Sequence, residues 1–389
     1  MPQKNRTCAG CGTGIYHDNQ SGICRRCFNA RAIGAPAPVH VPAENVQIIV
    51  PLDQIRADRD KAKAAASHSD LRKKYEQALE TIEQQEAELR AVNVLEQGRE
   101  TFVIEPRLGS GTSEGTAVIV ASDWHIEETV GAEVGGLNVY TLDIAEQRAV
   151  SFWQSALRLV NLLKQDIAIP HIVLALLGDF ITNAEMHNGD MAEACSLPPT
   201  LALAKAQNLL LSGIDFLLAH TDAAFTIVCH SGNHARTTHK IRFGAENGHS
   251  LEYLMYLTLA KVYRDNSRVT FIIPEGMHSY VDFYPGEPGS TTIRFQHGHA
   301  VKYGGGVGGI YIPLNKAIAQ WDKARRSDLN IMGHFHQQVD GGNFVVNGSL
   351  IGFNAFALSI KASFEKPKQT LLLIDRKRGR TCLWPIFVS

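Results

Sequence analysis

The chain has no long hydrophobic run. Its most apolar stretches are IVLALLG, which stops at Asp179, and LALAKAQNLLLSGIDFLL, which is interrupted by Lys205, Gln207, Asn208 and Asp215. Neither reaches the roughly 20 apolar residues of a membrane helix. The start, MPQKNRTCAGC, lacks the apolar core of a secretory signal. The expectation is a soluble, cytoplasmic protein with no membrane partner. An excess of charge is missing too. Lys and Arg number 38 against 39 Asp and Glu, so bulk charge selects no partner and only local patches can. Cysteine is sparse outside the first thirty residues, where only Cys195, Cys229 and Cys382 occur. An odd total of 7 without a secretory signal argues against a disulfide framework and for a reducing compartment.

Glycine and proline are absent from residues 53 to 97, which are charged and helix-favouring. Within them Leu71, Tyr75, Ala78, Ile82, Leu89 and Val92 recur at helical spacing, with Gln85 interrupting. The division read from this is a cysteine module at 1–34, a linker and helix start at 35–70, and an amphipathic helix at 71–97. That helix either lies on its own domain or forms a short coiled coil that makes a homodimer. A second linker, LGSGTSEG, leads into one large domain at 110–389. There, apolar runs of strand length alternate with amphipathic helical stretches, one beginning at an N-cap candidate, Thr141. The later half is richer in strands. This order predicts an α/β fold with two packed sheets and helices outside.

Five of the strand-like runs end in residues that bind cations. TAVIVAS runs into Asp123-Trp124-His125, and HIVLALL into Gly178-Asp179. FTIVC runs into His230-Ser231-Gly232-Asn233-His234, TTIRFQ into His297-Gly298-His299, and LNIM into Gly333-His334-Phe335-His336. Each piece alone is weak or moderate. Their force lies in their order and in their shared place at strand ends, where sites in α/β sheets collect.

In this order, D-x-H, G-D, G-N-H, H-G-H and G-H-x-H resemble the signature of the calcineurin-like metallophosphoesterases, over roughly 116 to 376. The resemblance implies a four-layer αββα double β-sandwich. It implies two divalent metals, with Asp123, His125 and His336 on the first, Asn233, His297 and His334 on the second, and Asp179 bridging. Manganese heads the expected metals, with iron, zinc and nickel as alternatives. Such a pair, about 3.5–4 Å apart, holds a bridging hydroxide and clamps phosphate oxygens. His234 falls where the family places a group that protonates the leaving oxygen or stabilises charge there. An acid usually follows that histidine. Here Ala235 and Arg236 follow, so either a carboxylate from a neighbouring loop orients His234, or Arg236 meets the phosphate. His187, His299 and Asn347, the last in an Asn-Gly-Ser turn, are candidate substrate contacts.

Cys8, Cys11, Cys24 and Cys27 form C-x2-C-x12-C-x2-C, the spacing of a closed tetrahedral zinc site. The module is similar to a zinc ribbon or treble clef. It carries Lys4, Arg6, Arg25, Arg26 and Arg31 against Asp18 alone, a charge suited to a phosphate backbone; a structural knob for protein contacts is the alternative. Three functional readings follow. The first is a nuclease on DNA or RNA, similar to the DNA-repair exonuclease branch and to phosphoesterases of phages and bacteria. The second is a phosphodiesterase or phosphatase of small nucleotides. The third is a metal-bound scaffold without turnover. GDFITN lacks the Asp-Arg-Gly run of protein Ser/Thr phosphatases.

Overall fold

The computed structural model describes residues 6–7, 14–15, 51–65, 68–97, 113–186 and 194–388. The chain divides into two compact units, Met1–Ile104 and Glu105–Ser389.

In the first unit, β1 (Arg6–Thr7) pairs antiparallel with β2 (Gly14–Ile15). The four candidate zinc cysteines lie outside the described residues. The stretch without glycine or proline becomes α1 (Leu52–Ala65) and α2 (His68–Gln97). Helix therefore begins well before residue 71, helped by Asp53 and Asp70 in the first turns, where the helix dipole favours an acid. Leu71, Tyr75, Ile82, Leu89 and Val92 are all at least half exposed along α2.

The second unit is built on two sheets. The six-stranded sheet has the order β13-β12-β3-β4-β5-β6. Its strands are β3 (Ser113–Ala121), β4 (Ile167–Leu176), β5 (Ala224–Cys229), β6 (Val269–Ile272), β12 (Lys368–Asp375) and β13 (Gly379–Phe387). β3 to β6 are parallel neighbours, joined by crossovers through α3 (Leu142–Leu163), α4 (Pro199–His220) and α5 (Leu251–Val262). The five-stranded sheet has the order β10-β11-β9-β8-β7. It comprises β7 (Ser279–Phe283), β8 (Thr291–Phe295), β9 (Leu329–Met332), β10 (Val339–Asp340) and β11 (Phe344–Val346). Its middle strands β8, β9 and β11 are parallel. α6 (Tyr311–Trp321) precedes β9, and α7 (Ala355–Ser359) precedes β12.

Side-chain alternation sorts the strands into layers. Ala117, Ile119 and Ala121 of β3 face one core with Phe152, Leu210 and Tyr256 from α3, α4 and α5. Val118 and Val120 face a second core with Phe295, Ile331 and Val345 of the other sheet. Leu314 and Ile318 of α6 cover that sheet's far side over Met332 and Val346. The result is the expected four layers, helix, sheet, sheet, helix.

Thr141 caps α3, accepting from the Ile144 amide at 3.4 Å. α6 stops at Trp321, although no glycine or proline follows before Arg326. Just past its end, the fully buried Arg294 bonds Asp322 Oδ1 at 2.8 Å and the Arg325 carbonyl, which fastens the turn at 322–324. β10 is two residues long and α7 five. By length and composition α4 could cross a membrane. Its inner face is Ala202, Ala206, Leu210, Ile214 and Leu217 in the core, and Lys205 pairs with Glu146 at 2.6 Å.

Arg148 ties this framework to the loop after β11. Its guanidinium donates to the Leu350 and Ile351 carbonyls at 2.9 and 2.7 Å and to Asn138 Oδ1 at 2.9 Å. Arg148→Met leaves these buried acceptors unmet. The expected loss of stability is about 2–4 kcal/mol in urea denaturation.

Candidate functional site

Parallel pairing brings the strand ends into line. Ala121 pairs with Leu176 and Leu176 with Cys229, so the segments bearing Asp123, Asp179 and Asn233 leave the six-stranded sheet side by side. Phe295 pairs with Ile331 in the other sheet, which sets His297 beside His334. Backbone bonds stitch the segments together. The Trp124 and His125 amides donate to the Asp179 carbonyl at 2.8 and 3.1 Å, and the Gly333 amide donates to the His297 carbonyl at 2.8 Å. The sheets meet where the His334 amide reaches the Asp123 carboxylate at 2.9 Å.

Three groups result: Asp123–His125–His336, His125–Asp179–His234 and Asp179–His297–His334. In each, one ligand atom per residue lies within 4.8 Å of the others. All the residues expected to hold metal are therefore gathered, with Asn233 Oδ1 3.2 Å from His297 Nε2. Asp179 belongs to two groups, as a bridging carboxylate requires.

The surroundings fix which ring nitrogen faces the cleft. Thr182 Oγ1 donates to Glu128 Oε2 at 3.0 Å, so it must accept from His125 Nδ1, also at 3.0 Å. That leaves the lone pair on His125 Nε2, which is buried and meets no protein partner. His297 Nδ1 donates to the Leu177 carbonyl at 2.6 Å. His336 Nδ1 lies 3.3 Å from Asn354 Oδ1, whose amide is oriented by its own bond to Glu128 Oε1 at 3.0 Å. Holding Nδ1 outward so that Nε2 is free is how proteins prepare histidine for a metal. This chain's residues fit a pair of cations.

Charge agrees with that fit. Burial drives His125 and His334 well below the ordinary imidazole value, helped by the neighbouring histidines, so both rings are neutral. Burial also pulls His297 down, but Asp179, 2.9 Å from its Nε2, outweighs this and takes it up to about 10. Asp179 is pushed up by burial, yet His297 and then His234 hold it well below the usual carboxylate range. A cation would replace the His297 proton.

Backbone strain marks the same residues. Asp123, His125, Asp179, His334 and His336 all have positive φ, between 46° and 70°, a region that non-glycine residues seldom occupy. Glycine is demanded by close approach at Gly232, where an added Cβ would lie 2.0 Å from Asp179 Oδ1.

His234 is held by the segment after β4. Its Nδ1 lies 2.9 Å from the Thr182 carbonyl, and its amide donates to Asp179 Oδ1 at 2.8 Å. Ala235 is fully buried in the core, so a carboxylate there would be buried as well. Arg236 donates to the Asn233 carbonyl at 2.6 Å and the Met186 carbonyl at 2.9 Å; these bonds brace the loop. Asn347 is fully buried behind Asp123 and donates to Ser122 Oγ at 2.9 Å, which in turn donates to Asp123 Oδ2 at 2.5 Å. It positions a ligand residue and does not line the cleft. His299 stands 3.0 Å from Glu246 Oε1, close by His297. His187 lies outside the described residues.

Several supporting residues escaped sequence reading. Glu252 of α5 is fully buried and accepts from the amides of Phe180 and Gly232 at 2.7 Å and of Asp179 at 3.3 Å. Burial, then the charge of Asp179, raises it to about 8. Glu127 accepts from the Thr182 and Asn183 amides, and burial raises it to about 7. Phe356 of α7 packs on the rings of His334 and His336 and lines the cleft. Only Glu252, an acid at the head of the apolar LEYLMYLTLA, carried a signal in the sequence.

No protein-family model matches the chain, and no curated protein matches it. Similar solved structures include a single mutant of Vps29 from Entamoeba histolytica, at 14% identity over 69% of this chain and 98% of the other, with a TM-score of 0.27. A predicted phosphoesterase from Streptococcus pneumoniae TIGR4 has 12% identity over 70% and 98%, at 0.26. The calcineurin-like phosphoesterase YfkN from Bacillus subtilis has 9% identity over 70% and 91%, at 0.25.

Gly232→Ala drives a methyl group into Asp179, and the expected cost is about 1–3 kcal/mol in urea melts. Gly244→Ala, where an added Cβ meets nothing within 4 Å, serves as the neutral control. Glu252→Ala strips three amides of their acceptor and should cost at least about 3 kcal/mol in the same assay.

Proposed function

We propose that the second unit is a two-metal phosphoesterase of the calcineurin-like type, and that its substrates are phosphodiesters of nucleotides. The observation that carries this reading is the set of three ligand groups joined through Asp179 and His125. Asp123, His125, Asp179 and His336 would hold one cation, and Asp179, Asn233, His297 and His334 the other. Manganese is the first choice, with iron, zinc and nickel as alternatives, because imidazole and carboxylate together suit these ions. When bound, the pair would supply Lewis-acid charge for the phosphoryl oxygens and an acidified water as nucleophile.

The protein's own groups do the rest. Two buried carboxylates, Asp123 and Asp179, offset cation charge. Asn233 adds an oxygen without adding charge. His234 borders the cleft with its Nδ1 held by the Thr182 carbonyl, which turns its Nε2 edge away from that carbonyl. At the leaving oxygen it would donate a proton or stabilise the developing negative charge. Phe356 gives the cleft an apolar wall and limits water beside His334 and His336.

A nuclease is the reading favoured among phosphodiesterases, resting on the four-cysteine, net basic segment at the start of the chain. Turnover of mononucleotide esters but of no polymer would replace it with the small-nucleotide reading. The exposed apolar stripe of α2 supports pairing of two copies through residues 71–97; sedimentation of the full chain against a Leu71→Glu, Ile82→Glu variant tests this, with loss of the dimer expected.

Asp179→Asn and His334→Ala should each lower manganese-dependent hydrolysis of bis(p-nitrophenyl) phosphate by at least about a thousandfold. Full activity in either purified variant would sink the assignment. Thr182→Val removes the acceptor of His125 Nδ1. It should weaken manganese binding about 10–100-fold by calorimetry, with Thr182→Ser restoring most of it.

A further inference from the structure

Glu128 is buried in the loop that follows β3 and His125. Among the described residues its one ion-pair contact is His125 Nδ1, at 3.8 Å. Two hydrogen bonds meet its carboxylate instead. Oε2 accepts from the Thr182 hydroxyl and Oε1 from the Asn354 side-chain nitrogen, both at 3.0 Å. The three residues come from three different loops, after β3, after β4 and before α7.

A carboxylate can only accept, and that decides what its partners show on their other sides. Thr182 gives its single hydrogen to Glu128, so it presents a lone pair to His125 Nδ1, 3.0 Å away. Asn354 turns its nitrogen to Glu128 and its oxygen to His336 Nδ1, at 3.3 Å. The same oxygen accepts from the Ala357 amide at 3.1 Å, which opposes a flip of the side chain. Both imidazoles therefore meet an acceptor at Nδ1 and keep Nε2 for a ligand bond. His336 Nε2 lies 3.5 Å from Asp123 Oδ1, and His125, His336 and Asp123 form one of the candidate ligand groups. The group of Asp179, His297 and His334 is anchored another way. His297 Nδ1 lies on a backbone oxygen, the Leu177 carbonyl.

We infer that Glu128 is a positioning residue for one cation alone, that of Asp123, His125 and His336. Through Thr182 and Asn354 it sets two ligand rings at once. It borders the cleft, but both its oxygens are engaged by these two relays and it belongs to none of the three ligand groups. The inference rests on the two-metal reading above. It adds that the two cation sites are set separately, one by a side-chain carboxylate and the other through the main chain.

The test follows manganese binding by the full chain, with no substrate present, by calorimetry and electron paramagnetic resonance. The wild type should show the spectrum of a coupled pair of ions. Glu128→Ala should weaken one ion about 10–100-fold, leave the other unchanged, and show isolated ions at the same manganese concentration. Paired variants identify the ion affected. Added to His334→Ala, Glu128→Ala should weaken the remaining ion by the same factor; added to His336→Ala it should change little. Glu128→Gln keeps the size of the side chain and serves if the alanine variant does not fold. Its amide nitrogen can donate to Thr182, which lets the hydroxyl turn its hydrogen on His125 Nδ1, so it should weaken the same ion. Equal weakening of both ions, or unchanged binding in Glu128→Gln, overturns the inference and leaves the phosphoesterase reading standing. Selective weakening in a protein that hydrolyses no phosphodiester keeps the inference and removes that reading. Failure of the wild type to bind either manganese or zinc overturns both.

Discussion

The second unit is organised around one unfavourable act, the burial of two carboxylates and several imidazoles within a few ångströms of one another. Asp123 and Asp179 are almost wholly out of solvent, and ions taken from water cost several kcal/mol each unless they are met by opposite charge and hydrogen bonds. Much of the local structure meets that cost. The His234 and His334 amides, from two different loops, donate to the buried carboxylates, Glu252 and Glu127 fasten the loops behind them, and the close backbone approaches require Gly232 and its neighbours. The two sheets share a core, and they also share Asp123, which leaves one sheet and is bonded by an amide from the other.

The fold and the gathering of the strand-end residues were legible for the same reason. A parallel strand must end at the edge of the sheet, and the polar residues just past five such ends stood out against apolar runs. The layers followed from the alternation within β3, whose odd and even residues enter different cores. The outer shell was not legible. Thr182, Asn354 and Glu128 do their work through ring tautomers and amide orientation, which depend on distances between segments far apart in the chain. Short elements such as α7 offer too few residues to show a period. Asn347 was visible as a turn residue, but its direction, into the core behind Asp123, was not.

Ala235 stands where an acid was expected beside His234. The missing acid pointed to another carboxylate, or to Arg236 on the phosphate. The ring is held by a backbone carbonyl, that of Thr182, an acceptor every residue carries and no sequence motif can advertise. Thr182 thereby serves two histidines, its carbonyl holding His234 and its hydroxyl holding His125. The two rings lie 4.7 Å apart and nearly perpendicular, so the residue that fixes one candidate metal ligand also aims the candidate proton donor.

Five of the gathered residues sit in left-handed backbone conformations, which glycine or asparagine would adopt at less cost. Drift toward a sturdier fold would therefore favour replacing aspartate and histidine at these places. Stability and chemistry pull in opposite directions there. A lineage released from selection for activity should lose these side chains early while the sheets beneath them persist.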